Sequence, residues 1–331
     1  MEKLNLNIPE SFYAREERCG YWVETEMKKV WAVELDLLNE FMNVCNEHNI
    51  KFYVGAGTML GAVRHKGFIP WDDDIDLYIR RTEYEKLVSL ARKGCFREPY
   101  FWQDHISDPG YLGGPSRLMN LNTTSIAYGH LNEKHGIQNI HMGIYIDVFP
   151  LDNIPDDKDE ASLWFSNIKK VSRKAWNLRM YTHRGLLKDD KDLEWLSFYL
   201  NLIGKPDMLF ETYYMMLGKY AKMATEKCCV YSDYCRNIGT ALYDNKDWDG
   251  LQTLPFEMLH VPLPDNYENL LVAEYGDWHK FVIGGSVHDI KDNGLFFDTE
   301  LPYTYYVNER GIKKEVFVQE VFKKTGKKIE L

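Results

Sequence analysis

Long apolar runs are missing from this 331-residue sequence. No stretch reaches the roughly 18 to 20 uncharged apolar residues that a membrane-spanning helix needs. Even WAVELDLLNEFMNVC is interrupted by Glu34, Asp36 and Glu40. The opening residues, MEKLNLNIPESFYAREERCGY, lack the apolar core of a secretory signal, so the chain is expected to be cytoplasmic. Cysteine is scarce as well. Six residues (Cys19, Cys45, Cys95, Cys228, Cys229, Cys235) are too few for a disulfide scaffold in a chain of this length and are expected as reduced thiols. Cys228, Cys229 and Cys235 also lack the paired C-x2-C spacing and neighbouring histidines of a zinc site. Basic charge is outweighed, 40 Lys and Arg against 50 Asp and Glu, and the net −10 disfavours nucleic acid as a partner. No internal repeat or Gly/Ser linker marks a boundary. With 45% hydrophobic and 27% charged residues, the chain can bury a large core, which excludes disordered and fibrous classes.

Periodicity then orders the elements. Val23 to His48 carries Val30, Val33, Leu37, Phe41, Val44 and Cys45 at helical spacing and is predicted to be a long amphipathic helix. Lys51 to Val54 reads as a short strand, Gly55-Ala56-Gly57-Thr58 as a tight turn, and Met59 to Arg64 as a helix. Asp74 to Ile79 alternates as a strand, and a helix follows from Thr82 to about Arg92. Tyr100 to Gln103, Ser116 to Met119, Ser125 to Tyr128 and Gly143 to Phe149 are further candidate strands. The alternation implies an α/β (α+β) core over residues 1–155, followed by a helical lobe over 156–225 and a C-terminal segment, 226–331, that packs back on the core.

The acidity is concentrated at Asp72-Asp73-Asp74-Ile75-Asp76. Side chains alternate along a strand, so Ile75, Leu77 and Ile79 share the buried face while Asp74 and Asp76 share the other. Two parallel carboxylates repel unless a cation lies between them, and hard oxygen ligands suit Mg²⁺ or Mn²⁺. Asp147 stands opposite Ile144, Ile146 and Val148 in the same way. Three carboxylates from two strands can hold two divalent ions about 3.5 to 4 Å apart, the arrangement used in phosphoryl transfer. Gly55 and Gly57 would let backbone N–H groups approach a phosphate at a helix start. A solvated acidic loop and an ordinary glycine turn are the plainer readings. A calcium loop starting at Asp72 is disfavoured, because its sixth position is Leu77 rather than glycine.

The stretch GAGTMLGAVRHKGFIPWDDDIDLYIRRTEYEKL, Gly55 to Leu87, together with HMGIYIDVFPLDNIP and LPDNYENLLVAEYGDW, resembles the LicD family of phosphotransferases over roughly Val23 to Trp278. The resemblance implies a nucleotidyltransferase-like mixed-sheet core, shared with the fukutin group, and transfer of a phospho-alcohol. Phosphocholine from CDP-choline is the most familiar cargo, moved to a hydroxyl of a cell-surface glycan such as lipopolysaccharide or teichoic acid, or of its lipid-linked precursor. It further implies that Gly57 and Thr58 close on the donor phosphates, that Asp74 and Asp76 bind metal, and that Asp147 ligates metal and accepts the incoming hydroxyl proton.

Arg64, Lys66 and Arg117 are additional candidates for neutralising a diphosphate, with a structural salt bridge as the other reading. Asp72 and Asp73 are expected to support the strand, and His105 and His141 to be structural. The basic side of the 160–188 helix (Lys169, Lys170, Arg173, Lys174, Arg179, His183, Arg184, Lys188) and Lys323, Lys324, Lys327 and Lys328 suit an anionic membrane surface or simple solvation.

Overall fold

The computed structural model describes residues 4–111, 114, 116–127, 140–184, 208–230, 242–282, 294–308 and 311–329. A short hairpin, β1 (Glu16–Arg18) and β2 (Tyr21–Val23), leads into α1 (Thr25–Glu47). There follow β3 (Tyr53–Val54), α2 (Ala56–His65), β4 (Asp76–Arg80), α3 (Arg81–Ala91), β5 (Tyr100–Gln103), β6 (Ser116–Asn120), β7 (Thr124–Ala127) and β8 (Ile144–Ile154). Helices α4 (Lys158–Arg184) and α5 (Met208–Leu217) come next, then β9 (Lys227–Cys229), β10 (Leu242–Asp244) and the hairpin β11 (Gln252–Phe256) and β12 (Leu259–Leu263). The chain ends with α6 (Tyr267–Tyr275), β13 (Leu295–Asp298), β14 (Val307–Asn308), β15 (Gly311–Ile312) and α7 (Lys314–Thr325).

Seven strands form a mixed sheet in the order β10-β9-β8-β4-β3, with β6 and β5 continuing from β8. The fold is α/β, as its alternating pattern implies. Among the described residues, the pairing of β4 with β8 is the parallel one in this sheet and the others are antiparallel. Residues 147–151 of β8 pair with β4, 144–148 with β6, and 152–154 with β9. Pro150, which has no N–H to donate, falls between the last partner of β6 and the first partner of β9, so the strand runs on past the point where Pro150 would be expected to end it.

Helix α1 packs against β6 and β8. Its amphipathic pattern implies one solvated face, yet residues 30–38 are buried all round, Glu34 and Asp36 included. Buried charges need partners. Asp36 accepts from Leu6 N (2.6 Å) and Tyr100 Oη (2.8 Å), and Lys28 pairs with Glu16 at 2.6 Å. At the start of α3, Arg81 donates from Nε and Nη2 to both oxygens of Asp152 (2.6 and 2.7 Å) within the core and fastens that helix to β8.

Val54, Leu77, Ile79, Ile146 and Val148 share one buried cluster with Phe256, Val261, Leu263, Leu270 and Leu271 from the C-terminal third. Trp164, Ile168, Leu217 and Tyr220 form a smaller cluster beneath α4 and α5, and Ile126, Phe296, Tyr306 and Phe317 another beneath α7. Among the described residues no helix is long and apolar enough to cross a membrane. Leu77 is fully buried in the sheet, so the residues after Asp76 do not form a calcium-binding loop. Cys228 and Cys229 are buried in β9, while Cys235 lies outside the described residues.

Candidate active site

The residues read as a glycine turn are the first turn of α2. Gly55 is its N-cap, Ala56 holds φ 40°, and Met59 N donates to Gly55 O at 2.9 Å. A positive φ is costly for alanine, by about 1 to 3 kcal/mol, and is held here by the surrounding bonds. Gly55 N donates to Asp76 O and Asp76 N donates to Thr58 Oγ1, both at 2.9 Å, so the helix start and the strand start are bolted together. Close packing excludes a side chain at Gly55 and crowds one at Gly57. A Cβ on Gly55 would lie 2.5 Å from the Tyr78 ring, and one on Gly57 would lie 2.6 Å from Asp72 Oδ2.

The sheet register places Asp76 and Asp147 directly abreast on the parallel strands β4 and β8, and Asp147 N donates to Ile75 O at 2.9 Å. Adjacent side chains on parallel strands point to the same side. On the far edge of β8, Arg117 of β6 pairs in register with Asp147, and its Nε donates to Oδ1 at 2.8 Å. The guanidinium also stacks over Tyr145 at 3.7 Å and Tyr111 at 5.1 Å. Burial works against that charge, but Asp147 beside it prevails and raises the Arg117 pKa.

Among the described residues, the acidic group that can offer one carboxylate oxygen each within 4.8 Å of one another is Asp72, Asp73 and Asp74. This tighter cluster differs from the expected Asp74, Asp76 and Asp147 set, in which the last two are neighbours through register. Asp73 is buried, while Asp72 and Asp74 are half-buried. Trp31 of α1 donates Nε1–H to Asp72 O at 2.9 Å and holds the loop from behind. An all-carboxylate donor set of this kind suits a hard divalent cation.

Three contributors were not recognised from the sequence. Glu34 of α1 is held well above the usual carboxylate range by burial and then by Asp73, Asp74, Asp72 and Asp76. Its only signal was an acid inside the apolar run VWAVELDLL. Tyr145 shares the face of Asp147 on β8, as the same pleat implies. Tyr275, at the end of α6 and 40% exposed, has its phenol raised by desolvation, by Glu274, and by Asp76, Asp72 and Asp74.

Other expected residues are engaged elsewhere. Arg64 Nη1 donates to the carbonyls of Trp278 (3.0 Å) and Lys280 (3.3 Å), and its guanidinium lies 4.6 Å over Phe281. Lys66 is the exposed left-handed C-cap of α2, and its carbonyl accepts from Glu257 N. His141 sits 3.1 Å from Asp108 and stacks on Phe101, while His105 stacks on Tyr214. A 520 Å³ cavity beside α4 and a 790 Å³ groove between α1 and α7 include none of the site carboxylates in their linings.

Residues 49–112, which contain the α2 start and all of Asp72 to Asp76, match the family model described as LicD/FKTN/FKRP, nucleotidyltransferase domain. The chain is 50% identical over 270 residues, 77% of its own length and 91% of the relative's, to the lipopolysaccharide cholinephosphotransferase LicD of Haemophilus influenzae. A shorter likeness, 46% identity over 78 residues (18% of this chain, 29% of the other), is to an uncharacterized protein of Rickettsia prowazekii.

Proposed function

The chain belongs to the LicD family of transferases, and from that premise we propose that it transfers phosphocholine from CDP-choline to a hydroxyl of a cell-surface glycan or its lipid-linked precursor, releasing CMP. The observation that carries the reading is the register of β4 and β8, which sets Asp76 beside Asp147 with Arg117 on the latter's other side. Asp74, Asp76 and Asp147 would hold Mg²⁺ or Mn²⁺, which supplies charge neutralisation of the diphosphate.

The chain's own residues have distinct tasks. Asp147 receives the proton of the acceptor hydroxyl, and Arg117 orients that carboxylate through its Nε–H. Gly55 and Gly57 bring the start of α2 close to the carboxylates, where its N–H groups favour a phosphate. Thr58 keeps β4 in line through Asp76 N. Tyr275, part-exposed and within electrostatic reach of the same carboxylates, would offer its ring to a quaternary ammonium.

The acceptor is proposed to be presented at the inner face of the plasma membrane. Helix α4 exposes Lys169, Lys170, Arg173 and Lys174, with Leu163 and Trp176 also exposed, a surface suited to anionic lipid. The backbone of Arg179, His183 and Arg184 continues that helix, and Lys188 lies outside the described residues. Flotation with anionic but not neutral liposomes is the expected result, and salt-independent failure to float removes the membrane contact.

The deciding experiment offers CDP-choline, CDP-ethanolamine, CDP-glycerol, CDP-ribitol and a CDP-linked aminoethylphosphonate with and without Mg²⁺, and reads CMP release. Cation-dependent release from CDP-choline is expected. Preference for another donor reassigns the cargo, and pyrophosphate release from a nucleoside triphosphate would make the enzyme a nucleotidyltransferase instead.

A further inference from the structure

The turn after β5 holds a second group of polar side chains, built around Asp108, which is 2% exposed. Its Oδ2 lies 2.8 Å from Gln103 Nε2, 2.8 Å from His141 N and 3.1 Å from His141 Nδ1. The imidazole stacks on Phe101 at 4.1 Å, with the Tyr303 ring edge-on at 5.8 Å, and stays 34% exposed.

The bonds fix which atoms are left open. A carboxylate oxygen accepts and does not donate, so Nδ1 carries the proton of the neutral imidazole and Nε2 keeps a lone pair. Nε2 has no hydrogen-bond partner among the described residues. Gln103, 1% exposed, is oriented in the same way. Its Nε2 also donates to His141 O at 3.1 Å, and the flipped amide would set its oxygen against two acceptors. Gln103 Oε1 is buried and has no partner among the described residues. A buried acceptor left unmatched costs more than a typical hydrogen bond contributes, so its retention calls for a reason.

Register ties this group to the carboxylates. Phe101 and Gln103 share one face of β5. Gln103 stands abreast of Arg117, and Arg117 of Asp147; Phe101 stands abreast of Met119, and Met119 of Tyr145. Residues abreast in this way point to the same side, and two strand spacings amount to about 10 Å. The turn makes a second link. Tyr111 N donates to Asp108 O at 2.8 Å, and the Tyr111 ring lies 5.1 Å from the Arg117 guanidinium that holds Asp147.

We infer that His141, held by Asp108, is a contact for the sugar that accepts the phospho-alcohol: His141 Nε2 and the neighbouring Gln103 Oε1 accept hydrogen bonds from hydroxyls of a glycan whose reacting hydroxyl reaches Asp147. The chemistry selects the class of ligand. Both open atoms are acceptors beside a buried carboxylate, so a phosphate meets no donor there and a quaternary ammonium has no N–H to give. A neutral ring carrying several hydroxyls matches them. This deepens the transfer reading given above and rests on it. Asp108 is a positioning residue, which acts through the imidazole.

The test follows CMP release by the full chain with CDP-choline and Mg²⁺, with the methyl glycosides of glucose, galactose and mannose as acceptors. Binding of the same glycosides is read separately by saturation-transfer NMR, with inorganic phosphate and ethanolamine as counter-probes. His141→Phe keeps a ring on Phe101 and removes the accepting nitrogen. It should raise the KM for the preferred glycoside about tenfold, with kcat and the KM for CDP-choline within about threefold. Asp108→Asn should raise the same constant by less, because the imidazole survives but is no longer held in one tautomer. If either variant folds poorly, the ¹⁵N shifts of His141 in the wild-type chain decide: a protonated Nδ1 and a bare Nε2 that moves on glycoside addition are expected. A wild-type glycoside KM in folded His141→Phe, a proton on Nε2, or binding of phosphate or ethanolamine in place of the glycosides overturns the inference. CMP release that continues with no glycoside bound overturns this inference alone. Glycoside bound at His141 with no CMP released from CDP-choline overturns the transfer reading and leaves the sugar contact standing.

Discussion

Replacing Gly57 by alanine adds one methyl group to the first turn of α2, and its effect can be worked out against the same change at Gly61 in the same helix. Alanine favours a helix over glycine by about 1 kcal/mol at either position. The collisions differ. At Gly57 the new Cβ falls 2.6 Å from Asp72 Oδ2, where ordinary contact begins at 3.4 Å, so the carboxylate must retreat by roughly 0.8 Å. A carboxylate on a flexible side chain can do so at little cost. At Gly61 the Cβ lands on the carbonyl oxygen of Gly67, well inside 3.0 Å, and meets Ile69 N at 3.4 Å, so backbone must move. Overpacking of that kind costs about 1 to 3 kcal/mol. Gly57→Ala should therefore keep its urea midpoint within about 1 kcal/mol of wild type while losing tenfold or more in transfer rate, because a sub-ångström displacement of a site carboxylate is felt in turnover. Gly61→Ala should lose stability outright. Undiminished turnover in Gly57→Ala, or a Gly61→Ala midpoint equal to wild type, would refute the reasoning.

Asp74→Asn and Asp147→Asn should each abolish CMP release with Tm preserved, and near-normal turnover in either purified variant removes that residue from the site. Asp152→Asn leaves the buried guanidinium of Arg81 without its counter-charge and should cost about 3 to 5 kcal/mol in denaturant unfolding, much of it recovered in the apolar double variant Arg81→Met/Asp152→Leu; a single-variant loss below 1 kcal/mol contradicts this. His65 is pushed down to about 4 by burial and by Arg64 and Arg18, from about 6.5 in the unfolded chain. The folded state then binds fewer protons between those values, so this contribution is complete above about pH 6.5 and is lost as pH falls toward 4. His65→Gln should flatten that limb of the stability profile, and an unaltered slope counts against the assignment.

Local patterns were legible in the sequence and long-range pairings were not. The strand at Tyr100 to Gln103 matches residue for residue, and the alternation around Asp147 gave the correct face, because both depend on neighbours a few residues away. That Asp76 stands beside Asp147 is a parallel pairing across about seventy residues, and no local period encodes it. Helix α1 shows why a buried charge was overlooked. Charged residues every few positions implied a wet face, whereas Glu34 and Asp36 are covered by the loop and by residues near the N-terminus. Phosphate approach and a plain turn are the readings the glycines allow locally, whereas the Tyr78 ring that excludes a side chain at Gly55 and the Asp72 carboxylate that crowds one at Gly57 come from outside the turn.

The electrostatics of the site bear on which donor fits it. Asp72, Asp74 and Asp76 lie at one end of β4, with Asp147 abreast of Asp76 and the buried Glu34 within their electrostatic reach, in a chain of net charge −10. A pair of like charges 4 Å apart costs about 4 kcal/mol at an effective dielectric constant near 20, more than a charged hydrogen bond to phosphate returns. A bare diphosphate would therefore be repelled, so on the proposed reading a cation would be a condition of donor binding as much as of turnover. The same field acts oppositely on the head group. A quaternary ammonium would be drawn toward carboxylates and toward a part-exposed aromatic ring such as Tyr275, whereas ribitol and glycerol carry no charge for either to attract. On the proposed reading, the carboxylates that a bound cation leaves unneutralised would favour a choline head group over a neutral polyol.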